Sequence, residues 1–426
     1  MLIVQPALRP PRKPRTSRVG VAIAGGGPTG GMYELGALRA LDDVLDGVDL
    51  TQLDVYVGVS SGAFLAAGLA NGLSTTEMCR IFVTGESDSV KFRPETFLRP
   101  AFGEYAKRIA GLPGIVRGWV SDLVRKPLET NWTDVLGRFG ALIPTGVFDN
   151  EGVEVFLREV FEAYGRSNDF RKLPRRLYVV AVELDTGETV RFGAKGLDHV
   201  PISRAVQASS ALPGLYPPVV IDGRFIVDGA LRRTLHASVA MEEGMDLVLG
   251  LNPLVPYDAA LAARSGGTQR LVDGGLPTVL SQTFRTILKS RMQVGLDKYQ
   301  QQYPATDLVL FEPNPDDGAM FFTNVFSYDS RLDLTAHAYR ATLDDLRRRR
   351  AEIEPLLARR GIGLRHEILE DRKRTLFDSL GPRKPRGNRA TAKLHRVLDD
   401  LEAVIKPKRK AVAKLAKPRK RVTSPR

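Results

Sequence analysis

A serine framed by glycines, Gly58-Val59-Ser60-Ser61-Gly62, follows the apolar run Leu53 to Val57 and precedes the small apolar stretch Ala63 to Ala70. That order predicts a buried strand, a sharp turn and a buried helix, with the Ser60 hydroxyl projecting from a strained apex. An acyl-accepting nucleophile requires this placement. Gly58 and Gly62 suit so tight a reversal because a Cβ would clash there. Upstream lies a second glycine cluster, Gly25-Gly26-Gly27-Pro28-Thr29-Gly30-Gly31. Its backbone N–H groups can hold negative charge, either a phosphate or a developing oxyanion.

Two elements must position that cluster. Val19 to Ala24 has the pattern of an apolar strand, and Met32 to Leu45 carries Leu35, Leu38, Leu41, Val44 and Leu45 at helical spacing. A glycine loop between strand and helix also fits the dinucleotide fingerprint, since Gly25, Gly27 and Gly30 stand at its spacing. A flavin or nicotinamide enzyme is therefore the alternative reading. Such a fold ends its second strand with an acidic residue for the ribose hydroxyl. Here Asp49 lies before the second strand, and that strand runs into Gly58-Val59-Ser60 instead.

A serine nucleophile needs a base, ordinarily histidine. The chain has five: His199, His236, His337, His366 and His395. None stands in a Gly- or Pro-framed loop, and His236 is the best placed. It follows a segment, Ala208 to Ala230, that reads as a short helix, a proline-rich turn and two strands joined by Asp222-Gly223, a strong hairpin signal. Asp228 closes that hairpin, and Gly229 beside it would let the carboxylate approach another backbone closely. Asp273-Gly274-Gly275 repeats the Asp-Gly pattern but lacks the preceding hairpin, so Asp228 is preferred.

With these residues the chain resembles the patatin-like phospholipases, lipid acyl hydrolases that use a Ser-Asp dyad. The family's three marks occur in order: the glycine loop Gly25 to Gly30, Gly58 to Gly62, and Asp228-Gly229-Ala230. The flanking Ala208 to Pro218 and Val180 to Glu188 are similar as well, and the resemblance covers about residues 18 to 245. It implies a three-layer α/β/α sandwich with a central, mostly parallel sheet. It implies Ser60 as nucleophile, Asp228 as proton acceptor and the amides of Gly25, Gly26 and Gly27 as the oxyanion hole, supported by Gly30, Gly58, Gly62 and Gly229. The substrate would be a phospholipid or other acyl-ester lipid, with no cofactor and no metal. The family commonly carries Arg or Lys just before the last glycine of the loop, where this chain has Thr29. The backbone amides and the helix dipole would then hold the oxyanion alone.

Composition bounds the remainder. At 426 residues and 43% hydrophobic the chain can bury a large core. Its single cysteine, Cys79, fits a reducing compartment. Met1 to Arg18 lacks the long apolar core of a signal peptide, and no run of about 20 apolar residues suggests a membrane span. A cytoplasmic protein in peripheral contact with membrane is expected. Residues 381–426 hold 16 Lys or Arg against 3 Asp or Glu, a net of +13 that equals the charge of the whole chain. Proline-broken and free of aromatics, this tail should be disordered and should bind a polyanion. Anionic membrane is the economical partner beside a lipid hydrolase; nucleic acid is the second. The absence of aromatics argues against sequence-reading of nucleic acid.

The expected organisation is a basic disordered 1–17, a catalytic 18–250, a mostly helical 251–380 and the tail. Within it, residues 91–147 form either a helical cap over the site or ordinary surface packing. Met245 to Leu251 and Asp307 to Phe311 read as strands, Leu276 to Tyr303 and Tyr328 to Arg360 as helices. Arg347 to Arg350 sits among acids at helical spacing, a solvated face. A non-catalytic lipid- or polyanion-binding protein is a further alternative.

Overall fold

Valine, isoleucine and leucine crowd the strands of this protein because the sheet they form is covered on both faces. The structure, a computed structural model, describes residues 1–9, 17–86, 92, 97, 99–101, 145–163, 165–264, 266–268, 270–323 and 330–381. Nine strands make the main sheet: β1 (Leu2–Gln5), β2 (Val19–Ile23), β3 (Val55–Val59), β4 (Arg176–Glu183), β5 (Thr189–Phe192), β6 (Val219–Ile221), β7 (Arg224–Asp228), β8 (Leu247–Leu251) and β9 (Asp307–Phe311). The spatial order is β1-β9-β8-β2-β3-β4-β7-β6, with β5 on β4. The central strands β9, β8, β2, β3 and β4 run parallel, and antiparallel partners close each side. Crossover connections between the parallel strands carry the helices, giving the three-layer α/β/α sandwich.

The principal helices are α1 (Gly27–Val44), α2 (Ser61–Ala70), α3 (Glu151–Phe161), α4 (Ile202–Ser209), α5 (Ala237–Glu242), α6 (Gly275–Gln302), α7 (Ser330–Arg348) and α8 (Arg350–Ala358). One face of the sheet packs Ala22, Val55, Val57, Val248, Leu308 and Leu310 against Ala237, Ala240 and Met241 of α5 and Leu296 and Tyr299 of α6. Each fully buried large aliphatic side chain contributes about 1.5–3 kcal/mol. Against α1 lies α7. The two helices approach closely at Gly36, where a Cβ would stand 2.9 Å from the Ala338 Cβ and 3.0 Å from the Tyr339 nitrogen.

Three expectations are corrected here. The N-terminal segment is not wholly disordered: Leu2 to Gln5 pairs antiparallel with Phe311 to Leu308 and closes the sheet. Residues 251–380 are not a separate helical extension, since β9 sits inside the sheet and α7 packs on α1. Met1–Ser379 forms one compact unit. The helix expected over Tyr328 to Arg360 is two helices, broken at Arg349, whose guanidinium turns away to the Leu2 carbonyl. Arg347 and Arg348 pair with acids of α7, and Arg349 and Arg350 with acids of α8. Most of the expected cap over 91–147, and residues 382–426 of the tail, lie outside the described residues.

Candidate active site

The site begins with a gap in the sheet. β3 pairs with Arg176 to Val180 of β4, whereas β7 pairs with Ala181 to Glu183 of the same strand. β5 occupies the other edge of β4 over residues 179 to 182. So β3 and β7 share one edge end to end and run toward each other. β3 finishes at Val59, opposite Val180, and β7 finishes at Asp228, opposite Ala181. The chain thereby delivers Ser60 and Asp228 to one point although they stand 228 − 60 = 168 residues apart in sequence.

Ser60 turns the corner with φ 50° and ψ −122°, one of two positive-φ non-glycine residues among those described. A side chain there costs about 1–3 kcal/mol of strain. The turn is held from below: the Ser60 amide donates to Ser209 Oγ at 2.8 Å, and Ser209 donates to the Val180 carbonyl at 2.7 Å. Ser60 precedes the first residue of α2, yet its hydroxyl makes no capping bond. The flanking glycines admit the helix. A Cβ on Gly58 would stand 2.5 Å from the Ala63 Cα, and one on Gly62 would stand 2.5 Å from the Ile23 carbonyl oxygen.

Asp228 is buried at the end of the hairpin, whose turn residues Asp222 and Gly223 both have positive φ, as a two-residue primed turn demands. One carboxylate oxygen accepts the Ala230 amide at 2.8 Å. Burial lifts its pKa to about 6, against the opposing pull of hydrogen bonding from the Ala230 amide and the Ser60 side chain. Gly229 permits this position because a Cβ would collide with the Val180 carbonyl oxygen.

The glycine loop leans on the same corner. A Cβ on Gly25 would stand 2.9 Å from the Ser60 Cβ, and Gly26 and Gly30 leave room for the Pro253 ring. The amides here are not all free, which corrects the expected oxyanion hole. Gly25 donates to the Thr234 carbonyl at 3.2 Å, and Gly26 donates to Ser61 Oγ at 3.0 Å. Among the described residues, the amides of Gly27, Thr29 and Ser61 have no acceptor. Two of these stand in the first turn of α1 and one in the first turn of α2, where the helix dipoles favour negative charge. Ser61 in turn donates at 3.4 Å to Glu34, a fully buried carboxyl whose pKa burial raises well above the usual range.

The contacts of Thr234, Glu34 and Pro253 had no signal in the sequence, and Ser209 lay in the similar stretch Ala208 to Pro218 with no role attached, since each is a common residue type far along the chain from what it holds. Ser61 and Ala230 did lie inside recognised motifs. His236, the best histidine on sequence grounds, is buried and held neutral. Burial, then the charges of Arg233 and Arg191, push its pKa down to about 3. Its Nε2 is buried with no hydrogen-bond partner among the described residues. His199, His337 and His366 pair with Asp222, Asp317 and Glu354, and His395 lies outside the described residues. Asp273 is on an exposed 3₁₀ turn. The dinucleotide alternative loses its cradle. Two of the loop amides are committed, and Asp49 caps its own turn through Thr51.

Beside the nucleophile helix lies an aromatic cluster. Phe64 meets Phe97 edge-to-face, and Phe97, Phe92, Phe82 and Phe156 continue the contact. Tyr216, on the loop before the hairpin, donates to the Phe97 carbonyl at 2.9 Å.

A family model described as patatin-like phospholipase matches residues 21–241. Among solved structures, the chain is similar to VipD from Legionella pneumophila, at 15% identity and a TM-score of 0.30, covering 86% of this chain and 82% of that one. It is similar to the type III effector protein ExoU of Pseudomonas aeruginosa at 17% identity and a TM-score of 0.27, covering 81% and 65%. Human GIVD cytosolic phospholipase A2, solved with methyl gamma-linolenyl fluorophosphonate, stands at 12% identity and a TM-score of 0.32, covering 81% and 60%.

Proposed function

Because this chain belongs to the patatin-like phospholipase family, a family of lipid ester hydrolases, we propose that it cleaves acyl esters of lipids through an acyl-Ser60 intermediate. The observation that carries the reading is the meeting of Ser60 and Asp228 at the gap along β4, with the carboxylate's pKa raised to about 6. A carboxylate of ordinary pKa, about 4, is a poor base; one near 6 is better matched to neutral pH and still ionised there.

Asp228 takes the hydroxyl proton as Ser60 Oγ bonds to the ester carbonyl carbon. The oxygen that becomes negative is held by amide donors at the helix N-termini, those of Gly27 and Ser61 being free to turn to it. Loss of one such donor costs on the order of 10²-fold in rate. The tetrahedral intermediate collapses by breaking the bond to the leaving alcohol, which takes the proton back from Asp228. Water then gives its proton to Asp228, attacks the acyl-Ser60 carbonyl and releases the fatty acid, and the proton returns to Ser60. Phe64 and Phe97 supply an apolar wall for the acyl chain.

Hydrolysis of phospholipid and lysophospholipid by the full chain, followed by fatty-acid release, tests the reading. Wild type should release acid, Ser60→Ala none, and Asp228→Asn only a trace. Equal release by Ser60→Ala would refute it. The 381–426 tail, with its net charge of +13, is read as an electrostatic tether to anionic lipid that places the enzyme peripherally on membrane. Nucleic acid is the competing polyanion.

A further inference from the structure

Helix α6 carries two apolar faces where a surface helix ordinarily has one. Leu296 and Tyr299 are buried in the core against the sheet, and Leu288 is buried as well. On the other side Leu276, Leu280, Ile287 and Val294 fall on one line at helical spacing, flanked by Val279 and Phe284 and preceded by Val272. These seven side chains are exposed, Leu276 at 70% and Val294 at 54%. They make up seven of the fifteen exposed large apolar side chains among the described residues. Isolated exposed leucines need no explanation, but a continuous line of this length marks an interaction surface.

We propose that this face of α6 is a membrane-docking surface that sinks into the headgroup–acyl boundary of a bilayer containing anionic lipid and sets the active site upon it. The charge around the line selects that occupant. Residues 259–302 contain six Lys or Arg and two Asp, and Arg264, Arg270, Arg291 and Lys298 are exposed. The exposed charges are Arg264, Arg270, Arg291 and Lys298 against Asp273 and Asp297, a net of 4 − 2 = +2 that favours anionic headgroups over a second copy of the same face. Arg291 and Lys298 can lay their stems along the apolar line and lift their charges to the headgroups.

The helix is tied to both segments that hold the glycine loop. Gln282 exchanges hydrogen bonds with the Tyr257 backbone at 2.9 and 2.8 Å, and Arg285 donates to the Val255 carbonyl at 3.3 Å. That segment begins at Pro253, which packs against Gly26 and Gly30. Leu288, Met292 and Tyr299 line one small cavity with Thr234 and Leu235, and the Thr234 carbonyl accepts the Gly25 amide. A helix seated in the interface would thus stand next to the oxyanion loop. No helix among the described residues is long and apolar enough to cross a membrane, so the mode is insertion in the interface plane.

The choice of lipid as occupant rests in part on the proposed hydrolase function, so the experiment separates the two. Full-length protein and its Ser60→Ala variant are co-sedimented with phosphatidylcholine vesicles containing phosphatidylglycerol, at low and high salt, beside the double substitution Leu280→Glu/Ile287→Glu in each background. High salt strips the contribution of the basic tail and leaves that of apolar insertion. The double substitution should lower salt-resistant partitioning by about tenfold or more in both backgrounds. Hydrolysis of vesicle lipid should fall in parallel, while turnover of a soluble short-chain ester and the thermal midpoint stay unchanged. Unchanged partitioning with soluble-ester activity intact would overturn the docking surface and spare the hydrolase. Partitioning through α6 in a chain that cleaves no ester would uphold the surface and sink the hydrolase. A wild-type dimer that the double substitution dissociates, with vesicle binding unaltered, would assign the face to a second copy and overturn the proposal.

Discussion

Among single residues, one proton decides the proposed chemistry. Asp228 in the folded chain holds its proton to a pH of about 6, chiefly because burial penalises its charge. Acidification below that point protonates the base, so kcat/KM should fall about tenfold per pH unit. A plateau should appear above about pH 7, and a flat profile across this range would exclude Asp228 as the base. The same shift has a signature in stability. A buried carboxylate with a raised pKa costs nothing while both folded and unfolded forms are protonated, and costs its full penalty once both are ionised. Asp228→Asn, whose carbonyl can still accept the Ala230 amide, should therefore be more stable than wild type by up to about 3 kcal/mol above pH 7. The advantage should vanish below about pH 4, as denaturant melts at the two pH values would show. The meeting of Ser60 and Asp228 was legible because Gly-x-Ser-x-Gly and Asp-Gly-Ala are local patterns whose residue types follow from backbone geometry. The contacts of Ser209 and Thr234 were not legible, although Ser209 lay within the similar stretch Ala208 to Pro218. A serine that bridges Ser60 to Val180, or a carbonyl that occupies the Gly25 amide, leaves no mark on its neighbours in sequence.

Elements explain why the glycines stand where they do. Helix α2 can rise from Ser60 only by lying almost on the backbone of β2 and β3, which is why Gly62 faces the Ile23 carbonyl and Gly58 faces Ala63. Gly62→Ala should cost several kcal/mol, on the scale of core overpacking, and should abolish soluble expression or shift the thermal midpoint sharply. Gly27→Ala is the control of a different kind. Its Cβ meets nothing within 4 Å, but its φ of 63° strains any L side chain, so the expected loss is only about 1 kcal/mol. Equal tolerance of the two substitutions would show that the strand–turn–helix corner is looser than drawn. Strand and helix identities were largely readable from periodicity, and Asp307 to Phe311 was read to the residue. Termini were harder. The helix after the glycine loop begins at Gly27, five residues before the first apolar position that betrays it, because its opening turn is built from glycine, proline and threonine.

The whole molecule depends on pairings that no local pattern announces. β1 pairs with β9, Gln5 lying 308 − 5 = 303 residues from Leu308, and α7 lies along α1 through a crossing that Gly36 admits. That crossing is fastened by charge. Asp43 on α1 accepts Arg374 Nε at 2.7 Å and the Tyr339 hydroxyl at 2.5 Å, with Arg39 alongside. Burial pushes the Asp43 pKa up, but the hydrogen bonds of Arg374 and Tyr339 and the charge of Arg39 outweigh it and hold the carboxylate below its usual value. Its contribution to stability is therefore present above the ordinary carboxylate pKa of about 4 and is lost on further acidification. Arg374→Ala strips the main partner from a buried charge and should cost about 3 kcal/mol near neutral pH. Most of that difference should disappear at low pH in a pair of urea titrations, and a cost independent of pH would mean that packing, not charge, fastens α7 to α1. The division expected at residue 250 failed for the same reason. A boundary drawn where motifs end takes no account of a sheet still waiting for β9, the strand on which β1 closes.

An activated Ser60 should react with a fluorophosphonate probe, which bonds to nucleophilic serine. Incubation of the full chain with the probe, followed by peptide mapping, should place one phosphonyl adduct on Ser60, with none on Ser60→Ala and slowed labelling of Asp228→Asn. A folded wild-type chain that takes up no probe, or that carries the adduct on another serine, would contradict the account.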